Sequence, residues 1–250
     1  MVAADAASER KRDRIRHYAK RYVRVPFSVR TSDLPKRAAS AVIMLLVTGG
    51  ALWAGGFWWQ ALVGAVAFGV FWEWLGLARR FSRSPVAFSL WCLAGGLYVL
   101  GAGWTLLYAR EQAAGYVLLI VGAVVATDVG AYFAGRTIGG PRIAPRISPS
   151  KTWAGLGGGA LASTAFLVCY VWGAFLDQSY ASYLLVLAVV LGPLCAIVAQ
   201  GGDFFESWMK RKAGVKDSGR LIPGHGGLFD RVDGLMAVCL LLLPFAWSTT

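Results

Sequence analysis

Apolar runs of about 20 residues, each long enough to cross a bilayer core of roughly 30 Å, recur along the chain at approximately 38–54, 57–77, 85–109, 115–135, 153–176, 180–201 and 229–247. Short polar or basic segments separate them. The third run is long and interrupted by Gly95-Gly96 and by Gly101-Ala102-Gly103, so it reads as a kinked helix or as two shorter pieces. The pattern therefore predicts an all-α fold, a polytopic integral membrane bundle of seven to nine transmembrane helices. A single transmembrane domain over 38–250 would follow a basic arm over 1–37.

Composition agrees with a lipid solvent. Of the 250 residues, 57% are hydrophobic, only 15% are charged and 31 are glycine, which excludes an ordinary soluble domain. Charge placement orients the bundle. The first 37 residues hold 11 Lys or Arg against 4 acids, Arg79, Arg80 and Arg83 follow the second run, and 136–151 adds 4 basic residues and no acid. By the positive-inside rule these segments and the loop 202–228 face the cytosol. The first apolar run starts too late and is too long for a cleavable signal. Ile15, Tyr18, Tyr22 and Val25 among basic residues suit either an amphipathic helix on an anionic leaflet or a solvated tail. The net charge of +12 is spread over several membrane-flanking segments, which argues against nucleic-acid binding. Cysteines 92, 169, 195 and 239 sit singly in apolar runs and read as small hydrophobes.

The chemistry concentrates between Gly202 and Asp233, where six basic residues, five carboxylates and a histidine stand between two apolar segments. Membrane orientation explains the Lys and Arg there but not the acids. Mg²⁺ keeps several waters and needs only one or two carboxylates beside substrate phosphates; Asp203, Asp230 and Asp233 are the candidates, with a second metal ion an open option. Lys210, Arg211, Lys216 and Arg231 supply positive charge for a polyphosphate. Glycines 224, 226 and 227 around His225 permit positive φ and let backbone N–H groups approach phosphate.

Two more segments carry polar groups. Asp128, in Thr127-Asp128-Val129-Gly130-Ala131-Tyr132, lies about two turns inside the end of a span, where a carboxylate needs a partner or a task. Lys151 sits in Ser148-Pro149-Ser150-Lys151-Thr152-Trp153, at a helix start that favours anions. The run Gly155-x-Gly157-Gly158-Gly159 has small-residue spacing that suits a close helix contact rather than a phosphate loop.

The stretch Ser207-x-x-Lys210-Arg211, Lys216-Asp217-x-Gly219, Pro223-Gly224-His225-Gly226-Gly227 and Asp230-Arg231-x-Asp233 resembles, without departure over 27 residues, the signature of the phosphatidate cytidylyltransferases. Asp128 to Arg136 and Ser148 to Gly155 resemble two further stretches of that family, except that Ala154 stands where its pattern has glutamate. The resemblance implies CTP and phosphatidic acid as substrates and CDP-diacylglycerol and pyrophosphate as products. It implies metal ligation by Asp203, Asp230 and Asp233, and substrate binding by Ser207, Lys210, Arg211, Lys216, Gly226, Gly227 and Arg231. Asp128, Lys151, Asp217 and His225 would take catalytic parts, orienting these groups or relaying protons. Small-residue helix faces are compatible with a homodimer. Two other readings stand beside this one, a CTP-dependent membrane lipid kinase and, from another class, a transporter.

Overall fold

The computed structural model describes residues 34–175, 181–219, 221 and 226–247; the amphipathic pattern around Ile15 to Val25 and His225 lie outside these. Seven helices appear among the described residues: α1 (Leu34–Ala54), α2 (Gly56–Phe81), α3 (Pro85–Gln112), α4 (Ala114–Thr137), α5 (Trp153–Phe175), α6 (Ala181–Lys212) and α7 (Phe229–Trp247). Five of them, α2 to α6, are long and apolar enough to cross a membrane, and α1 carries a shorter apolar stretch over Ala39–Ala54. A small antiparallel hairpin, β1 (Arg142–Ala144) and β2 (Ser148–Thr152), joins α4 to α5. It adds a strand pair to the expected helices, because Gly139 and Gly140, both at positive φ, stop α4 and turn the chain before Pro141.

Local chemistry sets the other boundaries. Gly55 and Gly56, both at positive φ, separate α1 from α2. Ser84 caps α3, its Oγ accepting the Ala87 N–H at 3.2 Å, with Pro85 at the first helical position. The third apolar run is one unbroken helix. Its glycines make room for neighbours instead of breaking it: a Cβ on Gly95 would strike the Trp74 indole, and one on Gly101 would stand 2.7 Å from Leu240. At the far end of α3, the Arg110 Nε–H donates to the Leu52 carbonyl at 2.8 Å, satisfying an orphan acceptor at the end of α1.

Many large apolar side chains, among them Leu45, Trp53, Phe57 and Leu161, are exposed, while Glu73, Thr127, Gln200 and Glu206 are buried. That inversion is what a lipid-facing bundle requires. The buried centre near one end is aromatic: Trp74 of α2 packs against Trp91, Tyr98, Phe205 and Phe229, with ring centroids 5.6–5.9 Å apart. The α4–α5 contact is made by glycine, as its spacing predicts. A Cβ on Gly130 would meet the Gly158 carbonyl at 2.5 Å, and one on Gly159 would meet the Thr127 carbonyl at 2.9 Å.

This seam tolerates no added volume. Gly158→Val should therefore lower the melting temperature in detergent, at a cost of about 1–3 kcal/mol or more. Gly157→Ala, where a Cβ meets nothing within 4 Å, should melt like the parent. Equal melting of both variants would contradict the seam.

Candidate active site

The ends of α2, α4 and α6, the hairpin and the starts of α5 and α7 meet at one end of the molecule. Contacts tie them together. Arg211 near the end of α6 donates through Nε to the Ile147 carbonyl in the hairpin at 3.4 Å. Lys151, in β2 just before α5, pairs with Asp203 of α6 at 2.5 Å. Thr152 caps α5 by accepting the Gly155 N–H at 3.1 Å.

Three connected sets of polar groups follow. The outer set centres on Lys151. Asp203 accepts from it through Oδ2 and from the Ser207 hydroxyl, one turn along α6, through Oδ1 at 3.3 Å. Asp128 of α4 and Asp233 of α7 lie within electrostatic range of Lys151 and Asp203. Asp203 is thus the paired carboxylate and two more lie within range, and the Lys151 and Asp203 side chains keep 22% and 32% of their surface open. The glycine seam holds Asp128 and Lys151 in this relation, since the backbones it brings together flank both residues.

The inner set centres on Lys210. Its ammonium bridges Glu206 and Asp230, each at 2.5 Å, and the two carboxylates are only 1% and 10% exposed. Asp230 spends its second oxygen on the Ser218 N–H at 3.0 Å and on the Ser218 hydroxyl and Gly227 N–H at 2.9 Å each. Asp230 stands in the first turn of α7, ahead of the apolar stretch that begins at Gly234. Burial pushes its carboxyl up, yet the hydrogen bonds it accepts, those from Lys210, Ser218 and Gly227 among them, outweigh burial and hold it below the usual carboxylate range.

The third set is Glu73, near the end of α2 and 4% exposed. It caps α7: Oε1 accepts the Leu228 N–H at 3.0 Å and Oε2 accepts the Phe229 N–H at 2.8 Å, while the Ser218 hydroxyl, 2.9 Å from Oε2, shares its one proton between Glu73 and Asp230. A negative side chain at a helix N-terminus meets both the orphan N–H groups and the helix dipole. The loop glycines are small for this reason. A Cβ on Gly227 would stand 2.6 Å from Glu73 Oε2, and one on Gly219 would collide with the same carboxylate. Gly226 is at φ +86, with Asp217 beside it.

The family model described as the cytidylyltransferase family matches residues 35–108 and 83–248. A protein of Brucella suis named phosphatidate cytidylyltransferase is 35% identical over 259 residues, covering 86% of this chain and 93% of its own. One of the same name from Staphylococcus saprophyticus is 41% identical over 165 residues, covering 66% of this chain and 60% of its own. The chain belongs to the cytidylyltransferase family.

Within that family frame, the structure separates residues that the sequence pattern groups together. Asp203 and Asp233 belong with Asp128 and Lys151, whereas Asp230 belongs with Lys210, Glu206 and Ser218. Lys216, Asp217, Arg211 and Arg231 are exposed at the same end. Ala154 stands in the first turn of α5, and Lys151, in β2 just before that helix, takes Asp203 of α6 as its carboxylate partner. Glu73 and Ser218 were not assigned from the sequence. The signal for Glu73 was its place as the one acid in an apolar run. Gln200, one turn below Asp203 on α6, is buried with neither amide atom hydrogen-bonded.

Removing the Glu73 carboxylate strands the Leu228 and Phe229 N–H donors, each worth about 1–3 kcal/mol when unsatisfied, while the Ser218 hydroxyl keeps Asp230 as its acceptor. Glu73→Ala should raise hydrogen exchange at the Leu228 and Phe229 amides and lower the melting temperature. Unchanged exchange there would show that the cap does not hold the loop.

Proposed function

We propose that the chain transfers the cytidylyl group of CTP to phosphatidic acid, giving CDP-diacylglycerol and pyrophosphate for phospholipid synthesis. The observation that carries this reading is the outer set: a partly open Lys151–Asp203 pair with Asp128 and Asp233 in electrostatic range, at the end of an apolar bundle, in a chain of the cytidylyltransferase family. A diacyl lipid presents its phosphate at the headgroup level and CTP arrives from water. A polar site at the helix ends is where both can meet. The basic bias of the arm and of the segments flanking the site end supports a cytosolic orientation, and bacterial relatives support the inner membrane.

A phosphatidate oxygen attacks the α-phosphorus of CTP while the bond to the pyrophosphate oxygen breaks. Such transfer relies on positioning and electrostatics and needs no protein nucleophile. Lys151 sits among the carboxylates, where it neutralises phosphate charge, and Arg211, Lys216 and Arg231 add positive charge around it. Lys210 is bonded to two carboxylates and acts through them, keeping Asp230, Ser218 and Gly227 in register. Ser207 orients Asp203. Asp217 and His225, in the loop beside Gly226 and Gly227, orient substrate or relay a proton.

A Mg²⁺ ion fits the outer set. Among the described residues no three His, Cys, Asp or Glu side chains form a ready-made cage, but a cation that keeps its waters and takes phosphate oxygens needs only one or two carboxylates. Asp203 and Asp233 would hold it, with Asp128 near them. Asp230, both of whose oxygens are already bonded, serves better as the organiser of the loop than as a ligand. When bound, the ion would offset the charge that develops on the phosphate oxygens.

The test is product analysis with cytidine-labelled CTP, phosphatidic acid and Mg²⁺ in detergent. Label should enter the lipid phase with the parent protein, and Asp203→Asn should lower the turnover by about 10²-fold or more. Label leaving instead as free CDP would point to a lipid kinase and contradict the reading.

A further inference from the structure

The corner formed by the end of α2, the start of α3 and the last turn of α6 collects cations that the site does not use. Arg79, Arg80, Arg83 and Lys212 are exposed there. No Asp or Glu stands between Trp74 and Arg110 or between Ser207 and Lys212. The nearest acids in the two helices, Glu73 and Glu206, are buried and engaged with α7 and with Lys210. The positive charge of the corner therefore has no counter-charge on its own elements.

Orientation in the membrane requires only that such cations be present. Here two of them are laid on the rings of one half-buried aromatic wall. The Arg79 guanidinium lies 5.6 Å from the ring centroid of Phe88, and the Lys212 ammonium 4.9 Å from that of Trp208. Between these, Phe81 at the end of α2 packs edge-on against Trp91 of α3 at 5.2 Å, and Trp91 meets Trp208 of α6 at 6.0 Å. Cations already held on rings lose less side-chain freedom when they take an anion. Indole rings beside cations also suit the headgroup level of a bilayer.

The surroundings say which anion belongs. Arg79 shares a face of α2 with Phe68 and Trp72, whose rings are exposed and stacked at 6.4 Å. From Phe68 to Arg79 the helix rises about 16 Å, close to the depth of one leaflet of hydrocarbon, roughly 15 Å. A free phosphate would use the cations alone, whereas a phospholipid uses the cations and the apolar face beneath them. The corner is also separate from the outer carboxylate set: Lys212 follows Asp203 by about two and a half turns of α6, which puts it on the opposite face. We propose that this corner seats an anionic phospholipid of the surrounding membrane, one that is not converted, with its phosphodiester on Arg79, Arg80, Arg83 and Lys212 and an acyl chain along Phe68 and Trp72. Guanidinium groups match the paired oxygens of a phosphate.

The test counts lipid retained by the full chain in detergent by native mass spectrometry, with phosphatidylglycerol and phosphatidylcholine of the same acyl chains offered together. The parent should hold phosphatidylglycerol about tenfold or more over phosphatidylcholine. Arg80→Gln/Arg83→Gln/Lys212→Gln should bring that ratio to within about twofold. Removing as many charges from the arm, by Lys11→Gln/Arg12→Gln/Arg14→Gln, should leave the ratio as in the parent. An equal fall in both variants would show attraction by net charge alone and overturn the proposal. No preference in the parent, an undiminished one in the first variant, or displacement of the lipid by inorganic phosphate would overturn it as well. Without phosphatidylglycerol, the first variant should melt like the parent and keep its turnover within about twofold. A larger loss of turnover would make these cations part of the site already described, and the proposal would fall.

Discussion

The cap that Glu73 places on α7 is the interaction on which the rest of the site depends. A carboxylate buried near the end of a membrane helix is costly unless it is fully engaged. Here it accepts from two backbone amides and one hydroxyl contributed by residues about 150 positions away in sequence. The cap fixes where α7 begins. It thereby fixes Asp230, whose oxygens gather Ser218, Gly227 and Lys210, and it aligns Asp233 one turn further along. Glycines at 219 and 227 are the geometric consequence, because any side chain there would occupy the space of the carboxylate.

The arrangement divides the labour between two kinds of acid. The inner acids are held by fixed donors, Glu73 and Asp230 through both oxygens and Glu206 through Oε2 on Lys210, with Glu206 Oε1 buried and unpartnered, so they act as structure. The outer acids, Asp128, Asp203 and Asp233, outnumber the one lysine in their range, and only Asp203 is paired with it, so they are the groups proposed above to take a cation. Close packing links the two. The glycine contact between α4 and α5 keeps Asp128 within electrostatic range of Lys151, and α6 carries Asp203 and Glu206 on neighbouring turns.

The helices were legible in the sequence because lipid imposes a length and a hydropathy on each, and the run 202–233 was legible because so many charges are expensive beside a membrane. The helical character of the third run was less so: its glycines read as breaks, whereas they receive Trp74 and Leu240. The small hairpin over 142–152 carried no apolar alternation to reveal it. Residue types alone placed Asp203, Asp230 and Asp233 in one class, since spacing shows which side chains share a helix face and not which donors from other helices reach them. The task of Glu73 was hidden for the same reason, its partners lying in a distant loop.

The division between organising and ligating carboxylates is tested most directly by counting bound Mn²⁺, a paramagnetic stand-in for Mg²⁺, on the full-length protein in detergent by electron paramagnetic resonance. The account predicts that Asp203→Asn weakens ion binding with little change in melting temperature, while Asp230→Asn retains the ion site but melts lower. Loss of the ion in Asp230→Asn with an unchanged melting temperature, and full binding in Asp203→Asn, would contradict it.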